Sequence, residues 1–537
     1  MKHNQAVTVL LLLILIYTAV FATLHIVRYR AFFSHDWRDE AVDNQIIYNS
    51  ANGHPVFSTI KGDMIFHRHF RPMFLIAAIP WLIYDDIATW FVTVSLMLAL
   101  GALAVYGIAR HWFRSVPLAF GFAVLYLLWP PLHEITLGNY DPETFVATFW
   151  LFAALYYEKE RPVLFWFFVA LALFCKETQA AVLFGFGLMA LVRRKGVKWW
   201  APMFVVGPAY FLLCLKVIIP LYYKTFGTIY GRFIGCGQND AFPVCFLQSL
   251  ISEPVATLGQ VFRREHVILM KGVFRATLLF AFAGIEWLLP ALAIFAEVLL
   301  LNEPFPIRQA HILSGMLPFV FLASMSGTRK IAGLAAFVSK NPTAERWALR
   351  IALGLFFIAG ILFSLGPGLF GQGQTYGNDH EPELTASSVF SKENFDISDA
   401  DRQAWESIAL IPKDATVMTN SRFLLALSSR HRLLELGTQN NPADFDAVSY
   451  ILVSFTEPKC RTCTYTALSE KSLGLLRDLV VEGRFKVVRL FEDHALLVRY
   501  SIAIAPIPDA IERFSAAIED KTKSLPTIPE DPETPSP

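Results

Sequence analysis

Charged residues are scarce in this sequence. They account for 17% of its 537 residues, whereas soluble domains carry roughly 25%. The net charge of +1 offers no basic surface for a nucleic-acid partner. Hydrophobic residues account for 55% and include 47 phenylalanines, which is more than one water-soluble core can bury. The composition therefore excludes an ordinary soluble enzyme and indicates a protein that faces lipid.

Cysteine is also scarce, with six residues. Cys175 and Cys214 lie in apolar runs and are predicted core residues. The other four come in two closely spaced pairs, Cys236 with Cys245 and Cys460 with Cys463. Two disulfides are expected if both pairs face an oxidising compartment, and free thiols are the alternative. A structural zinc would need about four ligands, which the C-x-x-C pair alone does not supply.

Long apolar runs are abundant. The first covers residues 6–27 after Lys2 and is long enough to span a bilayer, which takes about 20 residues. A secretory signal is the alternative, but its apolar core would be only about 7–15 residues, and no small-x-small cleavage site follows. A run at 73–84 is too short to cross and is predicted to be interfacial. Further predicted spans lie near residues 87–109, 116–131, 143–157, 162–175, 178–192, 200–221, 267–284, 286–301, 309–326 and 347–366.

Basic segments between the runs predict the orientation. They fall on one side if eleven spans are counted: Arg110–Arg114, Glu158–Arg161, Arg193–Lys198 and Arg329–Arg350. This predicts an integral inner (cytoplasmic) membrane protein with a cytoplasmic N-terminus and external, periplasmic-side loops near residues 28–86 and 222–266. The count needs a break at Gly284 and Glu286, because one long helix over 267–301 would place the C-terminus inside.

The pattern changes after residue 366. Short alternating runs at Thr416–Thr419, Ser449–Val453 and Phe485–Leu490, interleaved with helical stretches, predict a small external α/β domain over residues 367–520. Residues 521–537 are rich in Pro, Glu and Thr and are predicted to be disordered. The predicted fold class is thus an α-helical polytopic membrane protein, with residues 1–366 as the transmembrane domain and a small C-terminal α/β domain.

Polar residues beside predicted spans are functional leads, because charge near a membrane is costly. Asp36, Asp39 and Glu40 follow the first span directly. These carboxylates can act as a general base or bind a divalent metal, and a solvated loop is the alternative. Later in this loop lie His67, Arg68, His69 and Arg71. Their cations and imidazoles suit an anion such as phosphate, and contact with lipid headgroups is the alternative.

Three more polar clusters fall on the same predicted side. Asp141 precedes Pro142 and is expected to cap a helix, whereas Glu143 has no such structural explanation. The other two clusters are Lys176 with Glu177 and Arg308 with His311. A local ion pair is the alternative for Lys176 and Glu177. The convergence of all the clusters on one face predicts a site there.

In chain order the polar residues form a series of short motifs. The first is Asp39, then Asn44-Gln45, Asn49 and Gly53. The others are His69–Pro72, Tyr140–Glu143, Lys176–Thr178, His311 seven residues before Pro318-Phe319, and Thr416–Asn420 followed by Leu427–Arg430. The series resembles a large bacterial family of predicted multi-pass membrane proteins, itself similar to the GT-C class of membrane glycosyltransferases that use lipid-phosphate-linked sugars. The similarity runs from about residue 30 to 325 and is weaker in the C-terminal part of the chain.

Three positions depart from the family pattern. Where the family has Asp, Ser and His, this chain has Asn44, Arg71 and Asp141. Any role as a base or metal ligand at these positions is therefore not carried over directly.

The resemblance implies a GT-C-like fold and an inverting glycosyltransferase (a hexosyl- or pentosyltransferase). Asp39 would be the base, with Glu40 or Asp36 as a helper. The leaving lipid phosphate would be stabilised by cations or by a divalent metal such as Mg or Mn, with Asp39, Asp141 and Glu143 as candidate ligands. The candidate substrate- and phosphate-binding residues are His67, Arg68, His69, Arg71, Lys176, Glu177, Arg308 and His311.

The implied partners are membrane lipids, a polyprenyl-phosphate sugar donor and an unidentified acceptor, with no nucleic acid. Two other functions stay open from the sequence. One is a transporter or flippase for an anionic lipid or solute, which would place charges deep in the spans. The other is a non-catalytic membrane assembly protein, in which the carboxylates are only loop residues.

Overall fold

The computed structural model of the chain describes most of its residues. These are 2–34, 37–60, 62–64, 66, 69–138, 141–222, 234, 236, 244–275, 277, 280–300, 312–365, 372–376, 382–386, 390, 392–437, 442–456, 459–460 and 468–524.

A bundle of apolar helices makes up the larger part of the molecule. Its helices are α1 (His3–Arg30), α4 (Ile87–Phe113), α5 (Val116–Leu127), α6 (Pro130–Leu137), α7 (Val146–Glu158), α8 (Pro162–Cys175), α9 (Gln179–Val192), α10 (Val197–Leu213), α14 (Arg264–Arg275), α15 (Leu292–Leu299), α16 (Leu317–Ser339) and α17 (Pro342–Leu365). One π turn at Cys214–Ile218 joins α10 to the short α11 (Ile219–Tyr222), and a 3-10 helix at Phe280–Ala291 leads directly into α15. We call the 3-10 helix Phe280–Ala291 together with α15 the 280–299 helix.

The prediction of eleven spans is not confirmed. By length and composition, four of the described helices can cross a membrane: His3–Arg30, Ile87–Phe113, Val197–Tyr222 and Phe280–Leu299. The pair α5 and α6, bent by 41°, makes a fifth if it is one span. Helices α8 and α9 have 14 residues each and measure about 21 Å, less than the roughly 30 Å hydrocarbon core. To cross the membrane, helices this short would have to continue into a partner helix or lie where the bilayer is locally thinner.

Contacts among helix ends define the lower end of the bundle. The carboxylate of Glu158 accepts a 2.6 Å hydrogen bond from Trp112 Nε1 and pairs with Arg193. The Arg193 guanidinium lies over the ring of Trp287. The last turns of α4, α7 and α9 therefore meet the first part of the 280–299 helix.

The upper end of the bundle holds the end of α1 and the start of α4. Trp405, from the C-terminal part of the chain, donates a hydrogen bond from Nε1 to the Arg30 carbonyl at the end of α1. Lys413 lies 3.7 Å from Asp85, just before α4. The C-terminal part of the chain is therefore packed on this end.

The predicted break at Gly284 and Glu286 falls on a kink in the structure, but Phe280–Leu299 forms one candidate span rather than parts of two. Helix α14 ends at Arg275 and the next helix begins at Phe280. Gly284 is only a kink inside that helix, with φ −103° and ψ 33°.

Two glycines explain why the 280–299 helix and α16 pack so closely. A Cβ atom on Gly284 would overlap the carbonyl of Ala323, and one on Gly327 would overlap the carbonyl of Phe280. Small residues at a helix interface allow backbones to approach in this way. The contact fixes the 280–299 helix against the bundle.

We expect Gly327→Ala to lower the free energy of unfolding by about 1–3 kcal/mol, because the added methyl group has no space. Gly333→Ala on the same helix is the control, since an added Cβ atom there would have no other atom within 4 Å. That variant is expected to match or slightly exceed the wild type. Denaturant unfolding in detergent, followed by tryptophan fluorescence, measures both. Equal stability of the two variants would show that the close contact is not needed.

The predicted basic loop at Arg329–Arg350 is also corrected. Helix α16 continues to Ser339 and α17 starts at Pro342. The turn is confined to Lys340 and Asn341, with Lys340 in the left-handed region at φ 52°. The basic side chains of this segment therefore lie mostly on α16 and α17 rather than on a loop.

Residues 392–524 form the C-terminal α/β region. Its five-stranded sheet has the order β10-β11-β8-β6-β7. Strands β6 (Val417–Thr419), β7 (Leu433–Glu435) and β8 (Tyr450–Ser454) are parallel, and β10 (Phe485–Leu490) and β11 (His494–Arg499) are antiparallel additions. The helices are α18 (Asp399–Ala409), α19 (Ser421–Leu427), α20 (Glu470–Val481) and α21 (Ala510–Ser524), with 3-10 turns at Lys392–Phe395 and Pro442–Phe445. The prediction of a small α/β unit here is confirmed.

The predicted disordered tail begins too early. Helix α21 includes Lys521 and ends at Ser524, because Phe514 and Ile518 of this helix are buried in the core of the region. Residues 525–537 lie outside the described residues. A hairpin of β4 (Gln372–Tyr376) and β5 (Pro382–Ala386) precedes the region.

The loop after α1 folds into several short elements at the upper end. They are β1 (Phe33–Ser34), α2 (Trp37–Ala51), β2 (Phe57–Ser58), β3 (Asp63–Met64), α3 (Met73–Ala77) and a 3-10 turn at Ile79–Leu82. Strand β1 pairs in parallel with β9 (Lys459–Cys460) of the C-terminal region. The ring of Phe32 packs against Trp405 and Phe423. The loop is thus held between the bundle and the C-terminal region.

The second long loop contains α12 (Val244–Ser252) and α13 (Pro254–Val261). Cys236 and Cys245 form a disulfide there, as predicted. Cys175 and Cys214 are buried free thiols, which confirms their prediction as core residues. The predicted pairing of Cys460 with Cys463 lies outside the described side chains.

Candidate active site

Three of the predicted polar clusters meet at the upper end of the bundle. His69 and Arg71 lie just before α3, and Lys176 and Glu177 form the link between α8 and α9. Asp141 caps the 3-10 helix Pro142–Phe145 by accepting a hydrogen bond from the Glu143 N–H, as predicted. We call the six side chains of this cluster the polar network: His69, Arg71, Asp141, Glu143, Lys176 and Glu177.

Glu143 joins the two cations of the polar network. Arg71 pairs with Asp141 and also reaches Glu143 Oε2, 3.3 Å from its Nη2 atom. Lys176 Nζ lies 3.1 Å from the same Oε2 atom. All four side chains are buried. Burial alone would lower the pKa of Lys176, but the Glu143 and Glu297 carboxylates outweigh it and raise that pKa above its ordinary value.

Glu177 holds the other side of the polar network. It accepts a 3.0 Å hydrogen bond from the Phe70 N–H and lies 2.7 Å from His69 Nδ1. Burial would raise the pKa of Glu177, but the charge and hydrogen bond of His69, followed by Lys176, outweigh it and lower that pKa. The His69 side chain is 30% exposed, whereas Glu177 is 1% exposed. His69 is therefore the member of the pair that a ligand can reach.

The start of α2 adds carboxylates beside the polar network. Asp43 is buried and contributes to the electrostatic environment of Arg71. Asp39 lies one helical turn before Asp43, so the two share a face of α2. Of the two described catalytic candidates, Glu40 is 2% exposed, whereas Asp39 is only half-buried. Asp39 is therefore the more accessible of these two carboxylates.

Two residues of this site were not predicted from the sequence. The sequence signal that could have identified Asp43 as a site residue is its spacing of four residues from Asp39. Glu297, which contributes to the environment of Lys176, is marked only as an acidic residue in an apolar run. Five predicted site residues lie outside the described residues, and their roles stay predictions: Asp36, His67, Arg68, Arg308 and His311.

The predicted divalent metal stays a prediction. Among the residues that the structure describes, no three His, Cys, Asp or Glu side chains are grouped so as to hold a metal ion. Of the predicted ligands, Asp141 and Glu143 are already engaged by Arg71 and Lys176. The ionic partner of these carboxylates is therefore a guanidinium or an ammonium group, and no step below uses a metal.

Two of the departures from the family pattern contact each other. Arg71 and Asp141, two positions at which the sequence departs from the motifs it resembles, form an ion pair. A cation and an anion are therefore paired at these two positions.

An apolar groove opens below the polar network. Its volume is about 410 Å³, and it runs between α9, α10 and the 280–299 helix. Ala180, in its lining, follows Glu177 by three residues, and Ala293, also in its lining, precedes Glu297 by one helical turn. The upper end of the groove therefore lies beside Lys176 and Glu177.

A second polar group, in the C-terminal region, has the geometry of a hydrolase triad but not its accessibility. Ser407 Oγ lies 3.0 Å from His494 Nε2, and His494 Nδ1 lies 2.8 Å from Asp493 Oδ1. Ser407 and His494 are fully buried. The group therefore fastens α18 to β11 and cannot meet a substrate.

The fold and the polar network define an integral membrane protein with a buried ionic site at one end of its helices, beside an α/β region. The chain belongs to DUF2079, a family of predicted membrane proteins, which it matches over residues 39–493. The family prediction is confirmed. No curated protein matches the chain significantly.

Two crystal structures of ArnT from Cupriavidus metallidurans are similar to the chain. The apo structure has 13% sequence identity and a TM-score of 0.46. The structure bound to undecaprenyl phosphate has 15% identity and a TM-score of 0.45. In both, the similarity covers 92% of this chain and 99% of ArnT.

Proposed function

We propose that the protein is a GT-C-type membrane glycosyltransferase that moves a sugar from a polyprenyl-phosphate donor to an acceptor on the external face of the membrane. One observation carries the proposal: the apolar groove ends beside Lys176 and Glu177 of the polar network. A ligand with a hydrocarbon tail and a phosphate group matches an apolar groove that ends at buried cations. The tail would lie in the groove and the phosphate at the network.

The orientation is part of the proposal. Basic residues such as Arg114, Arg161 and Arg194 follow the lower ends of α4, α7 and α9. Lys and Arg near span ends favour the cytoplasmic side. The lower end is then cytoplasmic, and the upper end, with the polar network and the C-terminal region, is external.

The proposed chemistry is a single displacement at the anomeric carbon. The acceptor oxygen forms the new bond to this carbon while the bond to the phosphate oxygen breaks, and the electron pair stays on the phosphate. The acceptor proton passes to the Asp39 carboxylate, which acts as the general base. The anomeric centre is inverted because no covalent intermediate forms, as in inverting glycoside hydrolysis.

The polar network supplies fixed charge for the leaving phosphate. Its described members are two cations and a histidine set against three carboxylates. The carboxylates thus hold the cations in place without a ligand. Fixed dipoles and charges of this kind stabilise developing charge without reorganising during the reaction. Partly exposed His69 would meet the phosphate first.

The test uses the purified protein in detergent with a panel of polyprenyl-phosphate sugars. We expect lipid phosphate to be released from at least one donor when an acceptor is present, measured by thin-layer chromatography of labelled lipid. A protein that is folded, as shown by its unfolding midpoint, yet inactive across a broad panel would contradict the enzyme proposal. That result would favour the transporter or the membrane-assembly function over the enzyme.

A further inference from the structure

One edge of the C-terminal sheet is covered by the loop that follows α1. Strand β7 is the edge strand, and an edge strand presents backbone groups that lack a neighbouring strand. The Thr59 hydroxyl donates a 2.7 Å hydrogen bond to the Leu433 carbonyl and accepts a 2.9 Å hydrogen bond from the Leu433 N–H. A side chain from the loop thus takes the place of a neighbouring strand.

Gln45 extends this contact to α2. Its Nε2 atom donates to Thr59 Oγ1 at 2.8 Å and to the Arg430 carbonyl at 3.2 Å. Its Oε1 atom accepts from the Thr59 N–H and the Ser58 hydroxyl. The Thr59 hydroxyl then uses its one donor and both of its lone pairs. Gln45, Thr59 and Leu433 form one continuous hydrogen-bonded chain from α2 to β7.

Other contacts bind α2 to the same stretch of the C-terminal region. Asn44 donates from Nδ2 to the hydroxyls of Ser428 and Ser429 at 2.6 and 3.1 Å. Arg38 forms a 2.9 Å ion pair with Glu435. Asn44 and Gln45 are completely buried. Helix α2 is therefore fastened at its first turn and at its middle.

We propose that the C-terminal region is a positioning element of the candidate active site. Residues 428–435 hold α2 through the chain Gln45–Thr59–Leu433, so that Asp39 and Asp43 face the polar network. Loss of the Thr59 hydroxyl removes the hydrogen bonds between the loop and β7 and loosens the hold on α2, which then keeps its acidic face towards the polar network less precisely. The kinetic consequence rests on the proposed function, whereas the restraint of α2 does not.

The test compares two substitutions of Thr59 in the full-length protein in detergent. Thr59→Val keeps the shape of the side chain but removes three hydrogen bonds, whereas Thr59→Ser keeps the hydroxyl. We expect Thr59→Val to speed amide hydrogen exchange in residues 37–51 and 428–435 by about tenfold or more. Thr59→Ser should stay near the wild type. Thr23→Val is the control, because the exposed Thr23 bonds only to a carbonyl of its own helix.

Turnover gives a second readout that separates positioning from binding. In Thr59→Val we expect kcat to fall about tenfold while KM for the lipid donor changes less than about twofold, because the groove and the polar network are untouched. Unchanged exchange in α2, or faster exchange with an unchanged kcat, would overturn the proposal. If the wild type turns over no donor, the proposed function fails, and the exchange data alone decide whether residues 428–435 hold α2.

Discussion

Replacing Arg71 with serine is expected to lower the free energy of unfolding by about 3–5 kcal/mol, the usual cost of removing one partner of a buried ion pair. Arg71 is the cation shared by Asp141 and Glu143, which are 3% and 1% exposed. Without it, Asp141 would lose this ion pair, and Glu143 would keep the ion pair with Lys176. Denaturant unfolding in detergent measures the loss.

The double variant Arg71→Ser with Asp141→His decides whether the two residues act as a pair. It removes the guanidinium and the carboxylate of the pair together. We therefore expect it to lose much less stability than the sum of the single variants, as coupled sites do. A loss equal to that sum would show that Arg71 and Asp141 contribute independently.

Arg402→Ser provides the matched control for this experiment. Arg402 pairs with Asp399 on the exposed face of α18, where the two side chains are 61% and 88% exposed. Exposed ion pairs contribute about 0–1 kcal/mol, so this variant should unfold like the wild type. A large loss there would mean that the assay does not distinguish buried pairs from exposed ones.

Asp39→Asn is expected to reduce turnover about 10²- to 10⁴-fold, the range for loss of a general base. The amide has nearly the shape of the carboxylate but does not accept the acceptor proton. Because Asp39 is half-buried in the first turn of α2, we expect little change in stability. The effect is measured as the rate at which the purified variant releases lipid phosphate from the donor.

Asp85→Asn is the control for the Asp39 variant. Asp85 lies at the same upper end of the molecule, but its carboxylate is 55% exposed and lies 3.7 Å from Lys413. It should keep wild-type turnover. If Asp39→Asn kept more than about a tenth of the activity, the base would lie elsewhere, and Glu40 and Asp36 would be tested next.

The sequence predicts which segments form the candidate site but not how they are paired. The order of motifs places His69, Asp141 and Lys176 beside helix ends on one side, and the structure brings these segments together. The contact between Arg71 and Asp141 joins residues 70 positions apart. It depends on how α3 meets the 3-10 helix at Pro142–Phe145, which no local pattern encodes.

Helix ends were less predictable than the presence of helices. Hydropathy continues through the kink at Gly284, and it stops at the basic residues of α16 although that helix runs on to Ser339. The composition of residues 521–524 indicates disorder, but α21 is set by Phe514 and Ile518 in a core formed by distant strands. Tertiary packing decided each of these cases.

The hydrogen bonds between Thr59 and Leu433 also have a consequence for biosynthesis. The two residues are separated by 374 positions. At about 5–20 residues per second, ribosomes need on the order of 20–75 s to add that length of chain. During this interval α2 has left the ribosome, but the strand that fastens it has not yet been made. A nascent chain therefore carries its acidic helix without this contact until Leu433 has been added.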